Sequence, residues 1–197
     1  LIVYGTNSIN DIKFDAVTRN NQIEYNTSFS HLKSGTFAMF ATSLNGSIAN
    51  NLINFSLQIK DPNAKNKYHV SGTFSQPSSN NYNFQIKPDS LMLNYETWTV
   101  NQNNLLQLLN GDIVANQFVL SKGVQQLSLN SFGSGTNRPL SIDFKNFKIA
   151  TLTALIQTDS VLVDGELNGN VLLKNYKTQP TFTSDLVINN LSIYKDT

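Results

Sequence analysis

Acid–base chemistry in this 197-residue chain would have to be built from two histidines, His31 and His69, and from the carboxylates, of which only Glu24, Glu96 and Glu166 are glutamates. Each histidine sits in an alternating apolar/polar segment with no acidic neighbour at ligand spacing, which points to a surface or edge-strand role. Asp164 and Glu166 fall on one face of an extended segment, with side chains about 7 Å apart by strand geometry, and a glycosidase uses a carboxylate pair at such a separation. They lie on the polar face, however, where solvation keeps both ionised and leaves no general acid. Asp61, Asp89, Asp112 and Asp143 lie in or beside turns, where a hydrogen bond to their own backbone accounts for them. The chain has no cysteine, hence no thiol nucleophile, no disulfide and no Cys-ligated zinc. It contains neither a Gly-x-Ser-x-Gly elbow nor a His-Glu-x-x-His helix. Gly133-Ser134-Gly135-Thr136 lacks the Lys-Ser/Thr of a phosphate loop and reads as a flexible connection. No catalytic residue, metal site or cofactor is expected, and the chain does not read as an enzyme.

Composition narrows the partners. Only 27 residues are charged, 14% of the chain, against roughly a quarter in an ordinary soluble domain. In their place stand 75 Asn, Ser, Thr and Gln, 28 of them Asn. The apolar share of 40% is sufficient for a core, and the net charge of +1, with basic residues scattered singly, provides no electrostatic footprint for nucleic acid. The longest apolar runs, such as Leu1-Ile2-Val3-Tyr4, are far below the ~20 residues of a membrane helix. With no initiator Met and no basic n-region ahead of an apolar stretch, residues 1–197 read as a single β-rich segment excised from a longer protein.

Alternation with the period of a half-buried strand recurs along the chain. It runs through Ile12-Phe14-Ala16, Ile23-Tyr25-Thr27-Phe29, Phe55-Leu57-Ile59, Tyr68-Val70-Gly72-Phe74, Tyr82-Phe84-Ile86 and Leu91-Leu93-Tyr95. The segments Arg19–Gln22, Asp61–Asn63, Gln76–Asn80 and Lys87–Asp89 read as turns or loops. Leu105–Leu109 and Ile113–Leu120 flank Asn110-Gly111-Asp112 and read as a hairpin, because Asn-Gly tolerates positive φ; Asn101–Leu109 as a helix is the less favoured alternative. A short helix is expected over Thr151–Gln157, where Leu152, Leu155 and Ile156 follow helical spacing behind Thr151 as N-cap.

From Val161 to Leu173 the odd positions are Val, Val, Gly, Leu, Gly, Val, Leu, so that one face is wholly apolar or empty. Gly165 and Gly169 are expected to bend this long strand, and on its apolar face they leave room for a ligand. A weak repeat adds to the pattern. Phe144-Lys145-Asn146-Phe147-Lys148-Ile149 and Ile188-Asn189-Asn190-Leu191-Ser192-Ile193 lie 44 residues apart, and in both the apolar positions change parity at the Asn. Such a change inside a strand requires a bulge if both halves are to face the same interior.

Serial order carries a resemblance. Gly46-Ser47-Ile48 leads into Phe55–Asp61 and Tyr68–Phe74, then Leu91–Asn101, Phe118–Leu129, Pro139–Phe147, Val163–Asn170 and Pro180–Leu191. This succession, covering about three quarters of the chain, resembles the repetitive β-rich region of TamB-like proteins of the AsmA/TamB superfamily, in the Asn-rich form of Bacteroidetes-type lineages. The resemblance implies an all-β fold: an elongated, curled antiparallel sheet, a β-taco or open trough, with at most one or two short helices. It implies a segment of a periplasmic protein anchored to the inner membrane, whose apolar trough carries phospholipid between inner and outer membrane and supports outer-membrane biogenesis. The partners implied are phospholipid acyl chains, neighbouring segments of the same chain, and an outer-membrane β-barrel assembly partner docking through regions outside this segment.

Alternation and resemblance meet on one face. The lining residues expected there are Phe118, Leu120, Leu127, Leu129, Ile142, Phe144, Val163, Leu167, Val171, Leu186 and Ile188. Two other functions fit the same alternation. One is an ordinary β-sandwich core in an adhesive module. The other is a carbohydrate-binding module, with Trp98 in Tyr95-Glu96-Thr97-Trp98-Thr99-Val100 as an exposed stacking platform.

Overall fold

The structure, a computed structural model, describes residues 1–35, 37–156 and 161–195. It is all-β, with one short helix. The strands are β1 (Ile2–Tyr4), β2 (Asn7–Asn10), β3 (Lys13–Arg19), β4 (Gln22–Ser34), β5 (Phe37–Ala49), β6 (Leu52–Lys60), β7 (Asn66–Ser78) and β8 (Asn81–Leu93). They continue with β9 (Glu96–Val100), β10 (Leu105–Leu109), β11 (Asp112–Asn116), β12 (Phe118–Lys122), β13 (Gln125–Ser131), β14 (Leu140–Lys148), β15 (Val161–Lys174) and β16 (Thr181–Lys195). All sixteen belong to one antiparallel sheet that does not close on itself. Its main path runs β1-β2-β4-β5-β6-β7-β8-β9-β12-β13-β14-β15-β16, with β3 alongside β4 and the β10–β11 hairpin branching from β8.

Asparagine makes the turns. Among the described residues, eleven of the sixteen non-glycine residues with positive φ are Asn. The pairs Asn20-Asn21 (φ 51° and 59°) and Asn50-Asn51 (49° and 60°) supply the two consecutive left-handed residues that a tight two-residue hairpin needs. Asn110-Gly111 does the same between β10 and β11 (50° and 84°), so the hairpin forms and a helix over Asn101–Leu109 does not. Both Asn residues of the repeat have positive φ, 45° at Asn146 and 54° at Asn190. Each sits at a bulge: the β14–β15 register shifts between Phe144 and Phe147, and the β15–β16 register shifts beside Asp164–Glu166. The parity change in the sequence is therefore a structural correction that returns both halves of the strand to one face.

Several local expectations are revised. The helix α1 (Ile149–Ile156) begins directly on the end of β14, so Thr151 is a buried residue of its first turn and not its N-cap; Gln157 lies outside the described residues. Pro77 and Pro88 lie within β7 and β8, so that of Gln76–Asn80 only Ser79-Asn80 form the turn, and Lys87–Asp89 are not a loop. Each proline falls where the β7–β8 register breaks, between Ser75 and Ser78 and opposite Val70–Gly72, positions at which the missing N–H is not required by the ladder. Gly169 leaves no space for a ligand. A methyl group there would collide with the carbonyl oxygen of Asp185 on β16, and its φ of 110° excludes ordinary side chains. Gly165 likewise lies against Ile188 and Leu191. The neighbouring strand occupies the room that the glycines provide.

At β8 the sheet forks. Asn81–Phe84 pair with β10, whereas Leu91–Leu93 pair with β9. In the crotch is Asn104, only 1% exposed. Its Oδ1 accepts the Ile86 N–H at 2.8 Å, and its Nδ2 donates to the Ile86 carbonyl at 2.8 Å and to the Asn101 carbonyl at 2.7 Å. One side-chain amide thus replaces the two ladder bonds that Ile86 would otherwise lack.

Three substitutions test these contacts. Asn104→Leu orphans both backbone groups of Ile86 and is expected to lower unfolding free energy by about 3 kcal/mol or more, measured by urea denaturation. Gly169→Ala combines a left-handed penalty with overpacking and should cost above about 3 kcal/mol. Gly123→Ala, at a turn with φ 55° and open space around it, should cost about 1 kcal/mol. Equal losses at the two glycines would contradict the close approach of β16.

Candidate apolar groove

Directly paired residues in a sheet project to the same side, so the registers identify the face that each candidate residue occupies. One row runs Val100–Leu120–Leu127–Phe144–Gly169–Leu186 across six strands. A second runs Phe118–Leu129–Ile142–Val171, and a third Phe147–Leu167–Ile188. Val163 pairs with Ile193 on the far side of the Gly165 bulge. The eleven residues chosen from sequence thus share one face.

The same face continues through the other half of the sheet, where sequence reasoning named no lining residues. The row Ile23–Ile48–Ile53–Phe74–Phe84–Leu106–Ala115 spans β4, β5, β6, β7, β8, β10 and β11. Beside it runs Tyr25–Gly46–Phe55–Gly72–Ile86. Side chains at Gly46 and Gly72 would meet the Tyr25 hydroxyl and the Phe55 ring respectively, so these glycines let the two aromatics lie over the sheet. The Tyr25 hydroxyl crosses Gly46 to reach the Asn54 carbonyl at 3.1 Å. The alternations at Ile23–Phe29 and Phe55–Ile59 carried this signal; what the sequence lacked was the register joining them to the second half.

Exposure divides this face into three zones. In the middle, Ile86, Leu91, Trp98, Val100, Ala115, Phe118, Leu120, Leu140 and Phe147 form a closed core, with Val70, Phe84, Leu127, Leu129, Phe144, Leu167 and Leu173 packed around it. Trp98 and Phe147 meet at 5.5 Å between ring centroids, and Phe84 and Phe118 at 6.4 Å. Phe118 and Leu120 are therefore buried inside packed protein, while Leu127, Leu129, Ile142, Phe144, Val163, Leu167 and Val171 are half-buried. On the flanks the face is open. Leu186 and Ile188 are 39% and 46% exposed on β16, and Phe14, Ile23, Leu44 and Ile48 are exposed on β3, β4 and β5. A cleft of about 340 Å³, at the lower end of ordinary ligand-pocket sizes, is lined by Phe74, Tyr82, Asn83, Phe84, Leu106 and Leu108.

The opposite face holds the polar groups. His69 Nε2 lies there, 3.1 Å from Ser56 Oγ and 3.0 Å from Ser71 Oγ, whereas His31 on β4 stacks on its cross-strand partner Phe40. Among the described residues neither imidazole has a carboxylate partner. Asp61 caps its own turn by accepting the N–H groups of Asn63 and Lys65, both at 2.9 Å, and its carboxyl is held below the usual range chiefly by the Tyr95 hydroxyl. Asp143 accepts from Ser141 within β14 and is not a turn residue. Asp112 also departs from the local pattern. It is buried and binds Lys177 Nζ at 3.0 Å and the Asn137 N–H at 2.6 Å, both distant in sequence. Burial pushes its carboxyl up, but these partners outweigh burial and hold it below the usual value. Among the described residues no three acidic or imidazole side chains converge as a metal site would require, and no helix is long and apolar enough to cross a membrane. Trp98 is wholly buried, so an exposed sugar-stacking platform at that residue is ruled out.

Burial also fixes a pH response. Tyr68, on the apolar face of β7, has its hydroxyl pushed up to about 12, first by burial and then by Tyr95. Because the folded state holds this proton more tightly than the unfolded state, its contribution is complete below about pH 10 and is lost as pH rises towards about 12. Thermal melts of wild type and Tyr68→Phe between pH 9 and 12 should show a shallower alkaline decline in the variant; parallel declines would contradict the assignment. No protein-family model matches the chain, and neither a curated protein nor a solved structure matches it.

Proposed function

We propose that this chain is a segment of a TamB-like intermembrane protein, and that its apolar face is a trough for phospholipid acyl chains passing between inner and outer membrane in support of outer-membrane biogenesis. The observation that carries the proposal is the register. Apolar rows line up strand after strand along one face, yet on both flanks nothing among the described residues packs over them. An acyl chain makes no hydrogen-bond demands and gains about 0.8 kcal/mol per buried CH₂, so a face of Ile, Leu, Val and Phe with no buried charge suits it. The open sheet leaves a headgroup in water, avoiding the cost of burying its charge. Such carriage needs no catalytic group and no cofactor from these residues. In this account the segment works in the periplasm within a parent protein anchored to the inner membrane, joined to neighbouring segments of the same chain, with a barrel partner engaged elsewhere.

A β-sandwich adhesive module is the poorer alternative. Its core would cover the apolar face of every strand, whereas here β3, β4, β5 and β16 present theirs uncovered.

The test is acyl-chain photocrosslinking in the parent protein. Ile48→Asp and Leu186→Asp place a charge on the open flanks, where both residues are already more than a third exposed, so stability should change by no more than about 1 kcal/mol. Crosslinking at each flank is expected to fall at least tenfold. Wild-type crosslinking in both variants would overturn the trough.

A further inference from the structure

The β10–β11 hairpin is attached asymmetrically. On one side, β10 pairs with β8 through a regular backbone ladder, Leu106–Leu109 against Phe84–Asn81. On the other side, β11 meets β13, β14 and the β15–β16 connection through side chains. The Ser131 hydroxyl accepts the Ala115 N–H at 2.9 Å and donates to the Ile113 carbonyl at 3.2 Å. The Tyr176 hydroxyl does the same for the N–H and carbonyl of Ile113, at 2.9 and 3.2 Å. Lys177 Nζ bonds the Asn110 carbonyl and Asp112 Oδ1, each at 3.0 Å, and the Asn137 N–H closes on Asp112 Oδ1. On the free edge of β11 the Ala115 N–H and the N–H and carbonyl of Ile113 are thus satisfied by two side-chain hydroxyls, while Lys177 and the Asn137 amide hold Asn110 and the Asp112 carboxylate.

A ladder on one edge and side-chain ties on the other let the hairpin lift as a flap, opposed by the burial of Ala115 in the closed core. The ladder survives a rotation of the hairpin about β8, whereas the ties are released one at a time, with water able to replace each polar partner. The pivots are also in place. Asn104 fixes one end of the hairpin to Ile86, and Gln117, exposed with φ 47°, joins the other end to β12. Ala115 shares the buried cluster with Phe118 and Leu140, and Leu106 and Ile113 pack against that cluster as Leu129 and Leu173 do, so Phe118, Leu129, Leu140 and Leu173 are taken as the floor that the hairpin adjoins.

We infer that the β10–β11 hairpin is a lid, latched by Asp112, Lys177, Tyr176 and Ser131, which divides the apolar face into two acyl-chain bays and joins them when it lifts. The inference rests on the lipid-trough proposal for its ligand, but not for the motion. With the lid down, the bay of β4–β8 and Leu106 ends at the hairpin, and the face of β15–β16 begins beyond it. With the lid up, the contact that Phe84 already makes with Phe118 is uncovered, and the row behind Phe118 opens to the first bay.

The native chain has no cysteine, so engineered thiols report cleanly. Leu140→Cys, or Leu129→Cys as a second reporter, places one thiol on the covered floor. Adding Asp112→Asn and Tyr176→Phe should raise its maleimide labelling rate at least tenfold while leaving Trp98 emission unchanged. A separate Ala115→Cys/Ser131→Cys pair, oxidised, should lock the lid. A palmitic acid probe carrying a diazirine should then label the open flanks in every variant, and should label peptides containing Phe118, Leu129 and Ile142 strongly in the unlatched variant but not in the locked one. Unlatching that leaves the labelling rates of both reporter thiols unchanged overturns the lid, as does floor labelling by the probe that is equal in locked and unlatched protein. Probe labelling of no residue, with thiol rates that still respond to the latch, supports the lid and sinks the lipid proposal alone.

Discussion

A sheet with one apolar and one polar face depends on parity. Side chains alternate at every residue, so a single uncorrected register step sends a whole strand's apolar set into water. This sheet runs through thirteen strands on its main path, and an error at any strand would propagate to the next. Left-handed Asn solves the problem in two places. In hairpins such as Asn20-Asn21 and Asn50-Asn51 it reverses the chain in two residues, which fixes the register of the strands that follow. Within strands, Asn146 and Asn190 absorb one extra residue and restore the face. Asn is the residue for this because its short amide tolerates left-handed φ without glycine's larger loss of freedom. An excess of Asn that composition alone presents as an odd route to solubility is in large part a set of conformational instructions.

The second constraint is the fork at β8. One strand cannot continue two sheets along its whole length, so where Asn81–Phe84 turn to β10 and Leu91–Leu93 to β9, the residues between them lose a ladder partner. Buried Ile86 is such a residue, and an unpaired amide there costs about as much as several buried methylenes gain. Asn104 satisfies it with a side chain that has one acceptor and two donors in a plane, a geometry that mimics a peptide. Because the fork is sealed in this way, β10–β11 can leave the main path of the sheet and bring β11 against β13 and β14. The closed core around Trp98 and Phe147 follows from that departure, and so does the division of one apolar face into a filled middle and two open flanks.

Much of this was legible in the chain. Alternation located most strands, Asn110-Gly111 located the hairpin, and the parity change at Asn146 and Asn190 located both bulges, because all three are local signals of backbone geometry. Prolines misled: Pro77 and Pro88 read as loops, yet each occupies a register break inside a strand, which only pairing reveals. Gly165 and Gly169 read as room for a ligand, since a sequence cannot say which neighbour fills the space that a glycine leaves. Asp112 read as a turn residue satisfied locally, whereas its partners Asn137 and Lys177 are 25 and 65 positions away. Asn104 gave no signal at all among 28 asparagines. The candidate face was legible by parity, but its exposure was not, because open and closed zones use the same residues.

Exposure bears most directly on function. A protein selected only to fold would gain by covering Phe14 and Phe182, which are 68% and 74% exposed, at roughly 25 cal/mol for each Å² of apolar surface removed from water. The closed middle demonstrates that this chain can build a dry, aromatic-rich core when a second layer faces the sheet. The flanks have the same alternation and the same residue types, but among the described residues no second layer. Keeping apolar rows in register across strands that have nothing to pack against stabilises the isolated segment only through cross-strand contacts, less than a covered face would. The rows make physical sense when something apolar lies on them in the working protein, and an acyl chain is an occupant that requires no polar contact in return.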